Sequence, residues 1–111
     1  MVKPIIIKSK DTEYTLEFNR ESVKFAESRG FMFEDVSNFP MSKIPELFFY
    51  AFRMHHKNVA REKTDKLLFE ELGGLPQGAI ERLVELYCAP FESLTVSEGE
   101  EPKNSKWTVE L

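Results

Sequence analysis

Ile5-Ile-Ile-Lys-Ser-Lys-Asp-Thr-Glu-Tyr-Thr-Leu-Glu-Phe-Asn19 is the stretch that decides the fold. Residues 5–8 and 14–18 are rich in β-formers, and the polar run 9–13 between them has the character of a hairpin loop. Tyr14, Leu16 and Phe18 alternate with Thr15 and Glu17, so the second arm has one face to bury. Asn19 follows at once as a good helix cap, and Gly30 is placed to stop a first helix over residues 20–29. Val23 and Ala26 give that helix a thin apolar stripe, with Phe25 offset, which predicts peripheral packing.

Working outward, a linker carrying Phe31, Phe33, Val36 and Phe39 leads to Pro40. Ser42 can cap a second helix with Pro45 in its first turn, where a missing N–H costs little. Ile44, Leu47, Phe48, Ala51, Phe52 and His55 then share one face, and Phe49, Tyr50 and Met54 lie outside that stripe. A third helix is expected within residues 61–72, with Leu67, Leu68 and Leu72 on one face, Glu62 four residues before Lys66, and Gly73-Gly74 as its stop. Pro76 opens a fourth, with Ile80, Leu83, Val84 and Tyr87 as its stripe; Phe91 and Leu94 continue the phase if Pro90 only kinks the helix. The expected architecture is therefore α+β: an N-terminal β-hairpin packed on a bundle of three to four helices. Leu16, Phe18, Leu47, Phe48, Phe52, Leu68, Leu83, Val84 and Tyr87 form its expected core.

The chain of 111 residues suits one domain, expected over residues 1–94. Residues 97–105 are polar and acidic, a composition that cannot offset its ordering entropy, so 95–111 is expected to be a flexible tail. Within it Trp107-Thr-Val-Glu-Leu111 alternates again and suits a strand wherever a sheet edge is offered.

With 41% hydrophobic and 31% charged residues the composition is that of a water-soluble globule, and its ten Phe are the anomaly. A net charge of −4 argues against nucleic acid and anionic lipid as partners. One cysteine, Cys88, allows no internal disulfide and no thiolate zinc cluster, which fits a reducing cytoplasm. Neither a signal-peptide core nor a membrane span is legible.

Candidate chemistry is sparse. His55-His56, with Glu62 and Asp65 nearby, is the one conceivable metal cluster, but neighbouring helical residues point about 100° apart. The expected placement is His55 at the core edge and His56 exposed or cap-forming. Cys88 reads as a small buried hydrophobe, and the Glu70-Glu71 and Glu81/Glu85 pairs as solvated helix faces. Arg53, Lys57, Arg61, Lys63 and Lys66 form a local basic run, interrupted by Glu62 and Asp65, that suits an acidic protein partner as well as a nucleic acid. No catalysis, cofactor or metal is expected.

Three stretches carry a resemblance: Glu13-Tyr-Thr-Leu-Glu-Phe-Asn-Arg-Glu-Ser-Val-Lys-Phe-Ala-Glu27, Phe52-Arg-Met-His-His56 with Arg61-Glu-Lys-Thr-Asp65, and Glu81-Arg-Leu-Val-Glu-Leu-Tyr87. Together, over about residues 5–94, they resemble short bacteriophage and prophage proteins of the tail assembly chaperone type from long-tailed phages. That resemblance implies a non-enzymatic protein of the bacterial host cytoplasm. It implies the tape-measure protein as partner, with the major tail protein a further candidate, and it names no active residues. A small adaptor of the virion and a DNA-binding regulator are the alternatives. The apolar surplus on the second helix, Phe49, Tyr50 and Met54, with the linker rings Phe31, Phe33 and Phe39, is the candidate binding surface for another copy or for an amphipathic helix of the tape-measure protein. The competing reading closes all of these rings over one aromatic-rich core.

Overall fold

The computed structural model describes residues 2–94. The expectations of a flexible tail at 95–111 and of a strand at 107–111 lie outside the described residues.

Antiparallel strands β1 (Ile5–Ser9) and β2 (Thr12–Leu16) pair in the register Ile5↔Leu16, Ile7↔Tyr14 and Ser9↔Thr12. The turn between them is only Lys10-Asp11, tighter than the loop over 9–13 that polarity suggests. Ser9, Thr12 and Glu13 are polar yet pair as strand, because the facing side of a two-strand hairpin is exposed at its tip. Lys10 holds φ 56°, a left-handed conformation that costs a residue with a Cβ about 1–2 kcal/mol. Ile5, Ile7, Tyr14 and Leu16 turn inward, and Phe18, just past the end of β2, is buried with them.

Asn19 caps α1 (Arg20–Ser28) reciprocally with Ser22: the Ser22 N–H donates to Asn19 Oδ1 at 2.8 Å, and the Asn19 N–H donates to Ser22 Oγ at 2.9 Å. Such a cap stabilises a helix start by about 1 kcal/mol. Gly30 takes φ 88° and turns the chain so that Phe31, whose N–H donates to the Ala26 carbonyl at 3.1 Å, drops into the core. A single 3-10 turn, Phe33–Asp35, follows.

The second helix, α2 (Pro40–Tyr50), starts earlier and ends earlier than its apolar pattern suggests. Pro40 opens the first turn, a position with no N–H to lose. Ser42 is therefore inside the helix, its hydroxyl donating to the Phe39 carbonyl at 3.3 Å, and is not the cap. Pro45 lies in the second turn, where its missing N–H leaves the Met41 carbonyl without its helical donor. Beyond Tyr50 the chain tightens into turns: the Phe52 and Arg53 N–H groups donate to Phe49 and Tyr50 at 3.1 Å each. These turns replace the continuous stripe to His55.

The third helix, α3 (Arg61–Lys66), runs on as a π-helical segment, Leu67–Glu71, in which the Leu72 N–H donates to the Leu67 carbonyl at 2.9 Å. Thr64, Leu67 and Leu68, at helical spacing of three and four residues, all face the core. Its ion pair is Arg61 with Asp65, 2.9 Å apart. Gly73 and Gly74, at φ 65° and 104°, end the segment.

The fourth helix, α4 (Gln77–Cys88), buries Leu83, Leu86 and Tyr87, and leaves Val84 only partly buried. Pro90 does more than kink it. The chain changes to a 3-10 segment, Ala89–Leu94, which loses the 3.6-residue phase and leaves Phe91 and Leu94 exposed. Leu16, Phe31, Leu47, Phe48, Phe52 and Leu83 form the centre of one α+β core.

Candidate protein-binding cleft between the first and fourth helices

The ten Phe are accounted for mainly by two connected sets of rings, one around Phe52 and one around Tyr50 and Tyr87. Tyr14, Phe52 and Phe48 meet edge to face, 5.3 and 5.1 Å between centroids. Phe18, Phe31 and Phe33 all reach Tyr87, the first two edge-on at 5.1 and 5.5 Å and the third stacked at 5.0 Å. Phe31 also meets Tyr50 at 5.6 Å, and Phe25 meets the same ring at 6.1 Å. Pairs of this geometry each contribute about 0.5–1.5 kcal/mol beyond the area they bury.

These rings divide the six candidate partner residues. Phe31 and Tyr50 belong to the core and are closed to a partner in this conformation. Phe33 and Phe49 pack against the core with one side left open, and Met54 is half-buried beside Arg53 at the α1 surface. Phe39 alone is strongly exposed, at 60%. The structure therefore does not bring the six together as one surface.

It does assemble an apolar cleft that the sequence pattern missed. α1 supplies Val23, the 3-10 turn supplies Phe33, α4 supplies Tyr87, and the segment after Pro90 supplies Phe91 and Leu94, around a volume of about 620 Å³. Arg20, Glu21, Lys24 and Glu27 from α1 form a rim of both charges. Phe91 and Leu94 are 62% and 69% exposed, so the apolar lining is open to solvent. Burial pushes the Tyr87 phenol up to about 12, and the ring at the cleft floor stays neutral. Cys88 borders the cleft and is exposed, not the buried hydrophobe that its helix suggests. It sits one position outside the buried Leu83-Leu86-Tyr87 face, and desolvation lifts its thiol away from the thiolate form.

The two histidines exchange their expected places. His56 turns inward, its Nε2 accepting the Thr15 N–H of β2 at 2.9 Å, with its ring edge-on to Tyr14 at 5.4 Å. His55 points outward to Glu17 at 2.9 Å. The reversal follows from the end of α2 at Tyr50: the turns beyond it do not preserve the helical phase. Their rings lie 6.3 Å apart with separate partners, and no group of three potential metal ligands occurs among the described residues.

Desolvation, helped by the neighbouring His55, depresses the His56 pKa below its ordinary 6.5. Only neutral imidazole can accept the Thr15 proton. The unfolded chain therefore binds a proton at higher pH than the folded one does, and the stabilisation is fully present above about pH 6.5 and declines as pH falls toward the lowered value. Urea unfolding between about pH 7.5 and pH 5.5 should show falling stability in the wild type and a shallower fall in His56→Gln, with His55→Gln as the control for the Glu17 contact. Equal pH slopes in wild type and His56→Gln would remove His56 as the cause.

The basic run does not form one free face. The Arg53 guanidinium lies over the Phe25 ring at 3.8 Å, and Arg61 is held by Asp65. No helix among the described residues is long and apolar enough to cross a membrane.

Across its whole length, residues 1–111, the sequence matches a family described as a domain of unknown function, DUF5055. The chain belongs to that family. No curated protein and no solved structure matches it. For this DUF5055 chain the cleft geometry, with its open apolar floor and charged rim, is thus the main guide to what the molecule does.

Proposed function

We propose that this chain is a non-enzymatic protein-binding module of the bacterial cytoplasm, a tail assembly chaperone of the long-tailed phage type, and that its cleft takes an amphipathic helix of the tape-measure protein. The observation that carries the reading is the open apolar floor of Val23, Phe33, Phe91 and Leu94 under a rim of alternating charge. A helix lays its apolar face into such a groove and sets its flanking charges against the rim. Arg20 and Lys24 would meet acidic flanks of the helix, Glu21 and Glu27 basic ones. A stripe of this kind recurs along any long amphipathic helix, which supports a partner that must be held soluble over its length.

The test is co-expression with a tape-measure protein encoded beside this chain. Phe91→Glu and Leu94→Glu change exposed side chains, so each should leave folding stability within about 0.5 kcal/mol. Both should move the tape-measure protein from the soluble to the insoluble fraction. If it stays soluble with both variants at wild-type levels, the cleft is not the binding surface.

A further inference from the structure

The fold splits the basic run of the sequence. Arg61 is paired with Asp65, and Lys63 and Lys66 stand near Glu71, whose carboxyl is held below its ordinary range by the Ser9 hydroxyl, with Lys10 and these two lysines behind it. Arg53 and Lys57 go elsewhere. The turns after α2 set them beside α1, where with Lys24, Phe25 and Met54 they line a hollow of about 600 Å³. Glu21 is the one acidic residue in that lining among the described residues. Three cations against one carboxylate make the hollow positive in a chain whose net charge is −4.

The cations are held ready for a ligand. The half-buried Arg53 has its guanidinium 3.8 Å from the centre of the Phe25 ring, and the Arg29 guanidinium lies 4.9 Å from the same ring. An aromatic ring therefore positions Arg53 where a carboxylate commonly would. The ion pairs among the described residues are Lys43 with Glu46, Glu17 with His55 and Arg61 with Asp65, and none of them lies in the hollow. A guanidinium seated on a ring has already lost much of its rotamer freedom and keeps a planar fork of N–H donors for an incoming carboxylate. The other polar groups of the lining are engaged locally: the Ser22 N–H donates to Asn19 Oδ1 at 2.8 Å, and the Ser28 hydroxyl donates to the Phe25 carbonyl at 2.6 Å.

We propose that this hollow binds an acidic peptide segment of a partner protein, with carboxylates on Arg53, Lys57 and Lys24 and an apolar side chain against Met54. Charge complementarity selects the class of ligand, and the thioether of Met54 adapts to the side chain that meets it. Nucleic acid carries the same sign of charge. Yet the aromatic ring of the lining is engaged by two guanidinium groups and by Tyr50 rather than presented as a platform for a base, and the net charge of −4 repels a long phosphate backbone. A peptide sets its carboxylates over the hollow alone.

Neither Arg53 nor Lys57 lines the cleft between α1 and α4, so this inference stands or falls apart from the proposed function. Fluorescence anisotropy of the full chain with a labelled ten-residue glutamate peptide, at low ionic strength where screening is weak, tests it. Lys57→Glu and Lys63→Glu each reverse one exposed charge and change the net charge equally, but only Lys57 lines the hollow. The first should weaken binding at least about fivefold and the second less than about twofold. In an NMR titration the Arg53 Nε–H resonance should move as the peptide is added. Absence of saturable binding by the wild type, equal losses from the two reversals, or a stationary Arg53 resonance would overturn the proposal. Tighter binding of a ten-residue thymidine oligonucleotide, lost in Lys57→Glu, would overturn it as well and would assign the surface to nucleic acid.

Discussion

Phe52→Ala is expected to lower unfolding stability by about 3–5 kcal/mol, a large part of the roughly 5–15 kcal/mol that holds a domain together. Phe52 is 1% exposed and sits where the hairpin meets α2, edge-on to Tyr14 at 5.3 Å and to Phe48 at 5.1 Å. Truncation removes the transfer energy of the ring, leaves a cavity between the hairpin and α2, and breaks two aromatic pairs. The backbone here is held independently: the Glu17 N–H donates to the Ala51 carbonyl at 3.1 Å, so the hairpin cannot simply move in to fill the space.

Urea unfolding monitored by circular dichroism measures the cost, with the midpoint shifting and the slope unchanged. Phe52→Leu keeps most of the volume and should cost less than the alanine variant. A loss below about 1 kcal/mol for Phe52→Ala would mean that the ring is not in the core. The same substitution loosens the seat of His56, whose ring lies 6.1 Å from Phe52, so the pH dependence should flatten along with the loss of stability.

The parts of the fold that follow from neighbouring residues were legible in the sequence. Tyr14, Leu16 and Phe18 revealed the buried face of the hairpin through their spacing, and Asn19 and Gly30 bounded α1 through local hydrogen bonding and left-handed geometry. The helical phase misled wherever the helix stopped. His55 and His56 exchanged roles because α2 ends at Tyr50, and Phe91 and Leu94 left the apolar stripe because the chain turns 3-10 at Ala89. Periodicity reports which residues share a face only while 3.6 residues per turn holds, and nothing in Tyr50-Ala-Phe-Arg or Cys88-Ala-Pro announces the change beyond Pro90 itself. The cleft was illegible for another reason. Val23, Phe33, Tyr87 and Phe91 come from distant parts of the chain, and each reads in the sequence as part of a separate stripe or linker; only the packing of α1 beside the segment after α4 makes them one surface.

Phe31 and Phe39 are eight positions apart in one linker and identical in chemistry, so their alanine variants separate core from surface with one measurement. Phe31→Ala should cost about 3–5 kcal/mol, because the ring is 0% exposed and bridges Tyr50 at 5.6 Å and Tyr87 at 5.5 Å. It links α2 to α4 through those two rings, and the Gly30 turn, at φ 88°, delivers it into the core. Phe39→Ala should stay within about 0.5 kcal/mol of wild type, since that ring is 60% exposed at the start of α2. The contrast also bears on binding. A partner surface built from the linker aromatics as a group would need Phe31 to leave the core at the cost of both tyrosine contacts, and a partner helix offers no compensation for the cavity left behind. Urea midpoints of the two variants decide the matter: if Phe31→Ala unfolds at the same urea concentration as Phe39→Ala while tape-measure solubility falls, Phe31 is a presented ring and the aromatic core centred on Tyr87 has to be redrawn.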